Sequence, residues 1–513
     1  MRPIVATARA LVVGGGMGGL AAAVELAAEG LDVTVLEAAP RVGGKVRTVA
    51  TPAGPVDCGP TVFTLKPVFD ALFAVGGRRL DDHIALRPVE ILARHVWPDG
   101  SRLDLHTDPK AATDAIGRFA GSAEALRYLT FCRAAQRVYE TLEQPYLHAD
   151  GASLAGLIRR AGLAGLSDLI ALRPFTSLWR ALHDHFEDPR LRQLFARYAT
   201  YCGSSPFAAP ATLMLVAHVE QMGVHVVDGG IAAIVDATAD LAVSLGARIV
   251  TDCAVSSIEV ARGRISGVVT AAGDRLEADL VIHNGDIAAL GSGLLGTHVV
   301  KAAPAMPRLS RSLSAVTFAA AARTSGVPLA RHSVFFSDNY PAEFEALFQK
   351  RRLPEQPTVY VCAQDREAGH PVDGPERLLI LVNAPADGDC QPLTAEEIAR
   401  CQSATFSHLA RLGLTLSPLA VTTTTPTDFA RMFPATGGAL YGRATHGWSS
   451  AFRRPGPRTP IPGLYLAGGS AHPGPGLPMA TLSGQLAARA AIRDLASKDR
   501  SGRGGTPGGT STE

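Results

Sequence analysis

Residues 11–47 read LVVGGGMGGLAAAVELAAEGLDVTVLEAAPRVGGKVR, and no other stretch of this chain limits its fold so closely. An apolar strand (Leu11 to Val13) enters Gly14-x-Gly16-x-x-Gly19, continues as an alanine-rich helix and returns through Val33 to Leu36 to an acid, Glu37. In such a strand–turn–helix–strand unit Gly14 makes the tight turn, Gly16 lets backbone N–H groups approach a pyrophosphate, and Gly19 lets the helix pack on the strand. The anion then sits at the helix N-terminus, beside Met17, where unpaired N–H groups and the helix dipole favour negative charge. Glu37, followed by Ala38, ends the second strand, placed to accept hydrogen bonds from an adenosine ribose. Strand before, helix after and acid at this distance together predict a dinucleotide-binding unit.

The fingerprint alone does not separate NAD from FAD. The continuation Arg41-Val-Gly43-Gly44-Lys45-x-Arg47 does, because a second glycine pair bearing cations directly after the ribose acid suits the longer flavin dinucleotide. Without its context the same string reads as a surface turn. No second unit of strand, GxGxxG and helix is read for a nicotinamide cofactor, so electrons are expected to pass to a quinone or another diffusible acceptor, with molecular oxygen left open.

At 513 residues the chain exceeds one compact core, and about 150 residues per domain suggests two to four units. A net charge of +2, with no long cationic run and no aromatic-basic interleaving, argues against nucleic acid. Seven scattered cysteines, never arranged as CxxC, read as free thiols with neither zinc site nor disulfide framework. The fingerprint strand starts within about a dozen residues of Met1, leaving no room for a signal peptide. The run from Leu11 to Ala28 is not a membrane span, given its glycines and Glu25.

Beyond Arg47, a turn-rich stretch centres on Asp57-Cys58-Gly59-Pro60-Thr61, and residues 66–225 read as largely helical. Residues 224–250 read strand, tight turn, long helix, strand; the DGG there lacks the fingerprint spacing and is taken as structural. Short strands follow to Val281 with hairpin turns at Arg262-Gly263 and near Gly273-Asp274, and ADLVIHNGD returns to the nucleotide-binding sheet. The expected fold class is α/β: a discontinuous Rossmann-like FAD-binding domain with an inserted α+β substrate domain. Its expected parts are FAD-binding residues 1–100, 226–310 and 446–496, a helical substrate and membrane-facing region at 101–225, a substrate-domain sheet at 311–445, and a disordered tail at 497–513.

Four segments, GGGMGGLAAAVELAAEGLDVTVLEAAPRVGGKVRT, PVDCGPTVFTL, VHVVDGGIAAIVDATADLAVSLGARI and LYLAGGSAHPGPGLPMATLSGQLAA, resemble the carotenoid desaturase branch of the FAD-dependent amine oxidase-like superfamily. Within it the DCGPTVFTL stretch and the GGSAHPGPGLPMATLSG ending are most similar to bacterial hydroxyneurosporene and methoxyneurosporene desaturases. The resemblance implies insertion of the 3,4 double bond into carotenoids oxygenated at C1, with a hydride equivalent passing to flavin N5. It also implies a long apolar channel, a lipid-dissolved substrate and a cytoplasmic chain lying peripherally on a membrane. Alternatives are a phytoene desaturase, another amine oxidase-like enzyme, or a flavin-fold lipid carrier without activity.

The resemblance adds Gly44, Lys45, Gly59, Pro60, Thr61, Val255, Gly468, Gly469 and Met479 to Gly14, Gly16, Met17, Gly19, Glu37 and Ala38 as cofactor-binding candidates. Gly468 and Gly469 follow an apolar strand, and a helix beginning near Met479 points its N-terminus at the flavin. Gly469 and Ser470 stand where related flavoproteins often carry an acid, which weakens an amine oxidase reading. His472, between flavin strand and flavin helix, is the candidate proton acceptor or else a brace for its loop. Tyr441, Arg443 and His446 are candidates for the substrate mouth. Residues 153–182, with Arg159, Arg160, Arg173 and Arg180 among leucines and a break at Pro174, read either as a helix pair on a bilayer or as packed helices.

Overall fold

The computed structural model describes residues 8–151, 156–159, 173, 175–366 and 372–503. Its centre is a five-stranded parallel sheet in the order Arg248–Val250, Asp32–Leu36, Arg9–Val13, Leu280–His283, Leu464–Leu466. Parallel strands need crossover connections and are covered on both faces, so they read as unbroken apolar runs. The fingerprint helix, Met17–Ala28, is buried from Met17 to Ala27 between this sheet and the last helix, Leu477–Arg503. Small residues make the crossing close: a Cβ on Gly484 would meet the Gly18 carbonyl at 1.9 Å. Glu25, the one acid in the apolar run, accepts from Gln485 Nε2 at 2.9 Å and pairs with Arg489 at 2.6 Å.

A seven-stranded sheet forms the second layer, in the order Leu414–Thr424, Ser314–Gly326, Glu376–Ala384, Val359–Ala363, His332–Phe335, Ile91–Val96, Arg102–His106. All neighbours are antiparallel except His332–Phe335 against Ile91–Val96. The hairpin 91–106 corrects two expectations. It breaks the largely helical reading of 66–225, and the boundary expected at residue 100 falls in its turn, because Trp97 and Gly100 close a tight turn that sends both strands to the same sheet. The boundary expected at 225 likewise cuts the strand Val224–Val227, which pairs with Phe63–Thr64 and Leu86–Pro88.

Helices including Pro109–Ala120, Ser122–Leu142, Leu178–His185 and Pro189–Ala196 pack on one side of this sheet around Phe131, Phe186 and Phe195, whose rings lie 4.7 to 5.2 Å apart. Much of the 153–182 stretch lies outside the described residues. The long helix Ala232–Ser244 and the hairpin at Arg262-Gly263 form where expected. The DGG turn before that helix is structural: Asp57 accepts from the Ile231 N–H at 2.9 Å, against Gly230. The disordered tail was placed too early, since the last helix continues to Arg503. Among the described residues no helix is long and apolar enough to cross a membrane.

Candidate active site

One cavity of about 1310 Å³ runs along the C-terminal edge of the parallel sheet and continues over the face of the seven-stranded sheet. Its first end is built by the fingerprint. Gly14 adopts φ +101°, a backbone conformation that only glycine tolerates easily, and its carbonyl accepts from Asn284 Nδ2 at 3.0 Å. A Cβ on Gly16 would come within 3.0 Å of the same amide nitrogen, and one on Gly19 would strike the Gly14 carbonyl at 2.1 Å. Glu37 is fixed by two backbone donors, Gly15 N–H at 2.7 Å and Ala39 N–H at 2.8 Å, leaving its remaining lone pairs toward the cavity wall.

Gly14, Gly16, Met17, Glu37, Ala38, Gly44, Lys45, Gly59, Pro60, Thr61, Val255, Gly468, Gly469 and Met479 all line this cavity, although they come from segments up to 465 residues apart, from Gly14 to Met479. Gly19 and His472 do not. Gly19 acts in the helix–strand contact just described. His472 is 1 % exposed, its Nε2 donates to the Tyr146 carbonyl at 2.9 Å, and its ring meets the Tyr146 ring edge-on at 4.9 Å. The imidazole therefore braces the loop against a segment 326 residues away, the alternative to a proton acceptor at the cavity.

Other side chains expected at the mouth divide similarly. Tyr441 lines the cavity, and burial pushes its phenol up to about 12. His446 accepts from the Ser205 N–H at 2.9 Å and burial brings it down to about 4, so it is a neutral structural acceptor. Arg443 donates to the Ala305 carbonyl. Tyr465 donates to Asp494 behind the sheet, and Trp448 stands at the rim. Among the described residues the Tyr146 ring packs against His472, a partner that the sequence around His472 did not contain.

Sequence reasoning missed three groups. Asn284 ends the returning strand; its Oδ1 is a buried acceptor with no partner among the described residues, between Gly18 and Gly468. Asp286 follows it. Arg454, 5 % exposed, donates to the carbonyls of Gly469 (3.1 Å), Tyr441 (3.1 Å) and Arg443 (2.8 Å), stitching the two glycine-rich loops together. Lys45 donates to the Leu440 carbonyl at 2.6 Å; burial lowers its pKa, Asp286 opposes that and Arg454 adds to it. Only the residue string HNGD, at the end of a predicted sheet strand, held a signal for Asn284 and Asp286.

These features fit a dinucleotide. Side chains would fill the groove at Gly16, Gly18 and Gly468, the unpartnered Asn284 oxygen faces that groove, and helix N-termini at Met17 and Leu477 approach it from two sides. Beyond Thr61 the walls turn aliphatic and aromatic, with Leu213, Val216, Val219, Leu379, Leu381 and Phe344, and the cavity reaches solvent beside Phe175 and Trp448.

Residues 17–492 match the family model for flavin containing amine oxidoreductases. The chain is 50% identical to a hydroxyneurosporene desaturase of Rubrivivax gelatinosus, over 99% of this chain and 97% of that one. It is 45% identical to a hydroxyneurosporene desaturase of Cereibacter sphaeroides, over 98% and 100% of the two chains. A redesigned putrescine oxidase shares the fold, with a TM-score of 0.60 at 16% identity over 96% of this chain and 99% of the other. The chain belongs to the flavin-containing amine oxidoreductase family, an FAD-dependent oxidoreductase grouped within it beside the hydroxyneurosporene desaturases.

Proposed function

We propose that this protein inserts the 3,4 double bond into carotenoids that carry a hydroxyl or methoxyl group at C1. The observation that carries the reading is the continuity of the cavity: the dinucleotide groove opens directly into an apolar passage with an aromatic rim. When bound, FAD supplies the oxidising power, taking up a hydride equivalent at N5. The protein supplies position and environment. Gly16, Glu37 and Asn284 hold the cofactor along the sheet edge. Lys45 and Arg454 fix the loops on either side, and the aliphatic walls align a long hydrocarbon while excluding water.

The departing proton leaves a carbon next to a polyene, where positive charge is delocalised, so no strongly basic side chain is required. His472 then has a bracing role, and the passage needs shape more than titratable groups. The substrate dissolves in lipid, and Phe175 and Trp448, 79 % and 42 % exposed with ring centroids 5.3 Å apart, stand at the rim where it would enter. The reading therefore includes peripheral attachment to the cytoplasmic face of a membrane and delivery of electrons to a quinone or another diffusible acceptor.

The test is to supply FAD-loaded protein with phytoene, neurosporene and 1-hydroxyneurosporene in lipid dispersion, with a quinone added, and to follow the absorption spectrum. A red shift with the 1-hydroxy substrate supports the reading. Reaction with phytoene alone would overturn it in favour of an earlier step. Binding of carotenoid without any turnover would favour a carrier.

A further inference from the structure

The wall of the apolar passage carries a guanidinium, Arg197, whose hydrogen-bond donors are largely uncommitted among the described residues. Arg197 opens the short helix Arg197–Cys202 and lies in the cavity wall. Its only hydrogen bond among the described residues goes from Nη2 to the Tyr201 hydroxyl at 2.8 Å. Its guanidinium also lies over the Tyr201 and Tyr360 rings, 5.0 and 5.8 Å from their centroids. The two buried arginines here are more fully engaged: Arg454 serves three carbonyls, and Arg366 spans both oxygens of Glu376. A guanidinium has five N–H donors, and leaving them unmatched inside a protein is costly.

The surroundings of Arg197 are arranged to leave those donors available. Glu220, the nearest balancing charge, is engaged through phenols: it accepts from Tyr198 at 2.7 Å and from Tyr201 at 3.2 Å, so it does not pair directly with Arg197. The Tyr340 hydroxyl, also in the cavity wall, is buried and has no partner among the described residues. Tyr360, on whose ring Arg197 rests, has its hydroxyl within 2.7 Å of Thr61 Oγ1, in the loop beside the dinucleotide groove. The unmatched donors thus stand near the cofactor end of the passage. In a C1-oxygenated chain, carbons 3 and 4 lie only two and three bonds from C1. An oxygen at C1 must therefore come close to the place of reaction.

We infer that Arg197, assisted by the Tyr340 hydroxyl, hydrogen-bonds the C1 oxygen of the substrate and so selects hydroxylated or methoxylated chain ends over hydrocarbon ends. The inference rests on the function proposed above. It makes Arg197 the specificity-determining residue of the passage: a hydrocarbon end leaves the guanidinium unmatched, whereas an oxygenated end satisfies it and registers carbons 3 and 4 against the cofactor.

The test measures kcat/KM of FAD-loaded wild type, Arg197→Met, Arg197→Lys and Tyr340→Phe on 1-hydroxyneurosporene and neurosporene. The flavin spectrum and the melting temperature are recorded for each. Wild type is expected to prefer the hydroxylated substrate, and Arg197→Met to lower that preference about thirtyfold, the loss of a hydrogen bond to a charged group. Arg197→Lys should retain part of the preference, and Tyr340→Phe should lower it about threefold. If Arg197→Met fails to fold, an unchanged ratio in both Arg197→Lys and Tyr340→Phe overturns the inference. An unchanged ratio in flavin-replete Arg197→Met overturns it directly, while leaving the proposed function intact. A wild type that turns over neither substrate, or only the hydrocarbon, overturns the proposed function and this inference with it.

Discussion

The Asn284 amide nitrogen donates to the Gly14 carbonyl at 3.0 Å, fastening the fingerprint turn to a strand that returns 270 residues later. The same side chain leaves its oxygen unpartnered at the groove. Asn284→Ala removes both the brace and the polar wall. FAD is expected to bind about tenfold more weakly, the net value of one hydrogen bond to a neutral group. Fluorescence titration of the apoprotein measures this, and an unchanged affinity would show that Asn284 serves the backbone alone.

Gly19 tests packing apart from binding. Its Cβ position lies 2.1 Å from the Gly14 carbonyl, a backbone atom that cannot swing away. Gly19→Ala should destabilise the protein by about 1–3 kcal/mol through forced backbone shifts, read as a lower denaturant midpoint. A variant of wild-type stability would mean that helix and strand separate more readily than their burial suggests.

How far the sequence revealed this site depended on whether a group belonged to a local pattern. The fingerprint, the acid at Glu37 and the glycines near 468 were legible because turn, helix and strand place them within a few residues of each other. Arg454, Asn284 and Tyr146 were not. Asn284 and Tyr146 act with a backbone carbonyl or ring brought from a distant segment, Arg454 with carbonyls 11 to 15 residues away across an irregular loop, and no local pattern marks the partner of any of them. The hairpin 91–106 was missed for a related reason, since its partner strand His332–Phe335 lies more than 200 residues on. For His472 the sequence left two roles open, proton acceptor or loop brace, and the local pattern could not show that its ring turns inward to the Tyr146 carbonyl.

At the edge of the seven-stranded sheet, Arg366 in the loop after Val359–Ala363 and Glu376 at the start of the next strand form a buried pair, 8 % and 1 % exposed, with Nε to Oε2 at 2.7 Å. Removing one partner strands the other charge. Arg366→Met alone should cost about 3–5 kcal/mol, whereas Arg366→Met with Glu376→Leu should recover most of that loss. Urea unfolding of both variants decides it; equal losses would mean that the bonds from Arg366 to Leu329 and Thr324, not the ion pair, carry the stability.

Glu343, 1 % exposed, is pushed up to about 7 by burial, while hydroxyl donors Thr358 at 2.7 Å and Ser337 at 2.9 Å act in the opposite sense. For a carboxyl whose folded pKa is raised, folding favours the protonated form. The native state is unpenalised below the unfolded value near 4.5, loses stability as pH rises from there to about 7, and changes no further above it. Buried His95 and His332, both brought down to about 3, act over an overlapping range in the other direction: their contribution is present above about 6.5 and lost on acidification. The difference between Glu343→Gln and wild type isolates the carboxyl. The variant should gain about 3 kcal/mol relative to wild type between pH 4.5 and 8. A difference independent of pH would place the Glu343 pKa at its ordinary value.

The rim of the passage supplies the last prediction. Phe175 and Trp448 are large apolar side chains held in contact, exposed, and positioned where the cavity meets solvent. Single exposed hydrophobics are common on proteins, but an aromatic pair at the mouth of an apolar passage is suited to the region between lipid headgroups and acyl chains. Inserting each ring would contribute roughly 1–2 kcal/mol from apolar area removed from water. Phe175→Ser with Trp448→Ser is therefore expected to weaken binding to phospholipid vesicles, read by sedimentation, by about one and a half to three orders of magnitude. The same variant should raise KM for a carotenoid presented in vesicles more than for one presented in detergent, because only the first must cross a bilayer surface. Equal effects in both media would assign the pair to substrate contact within the passage instead of membrane docking.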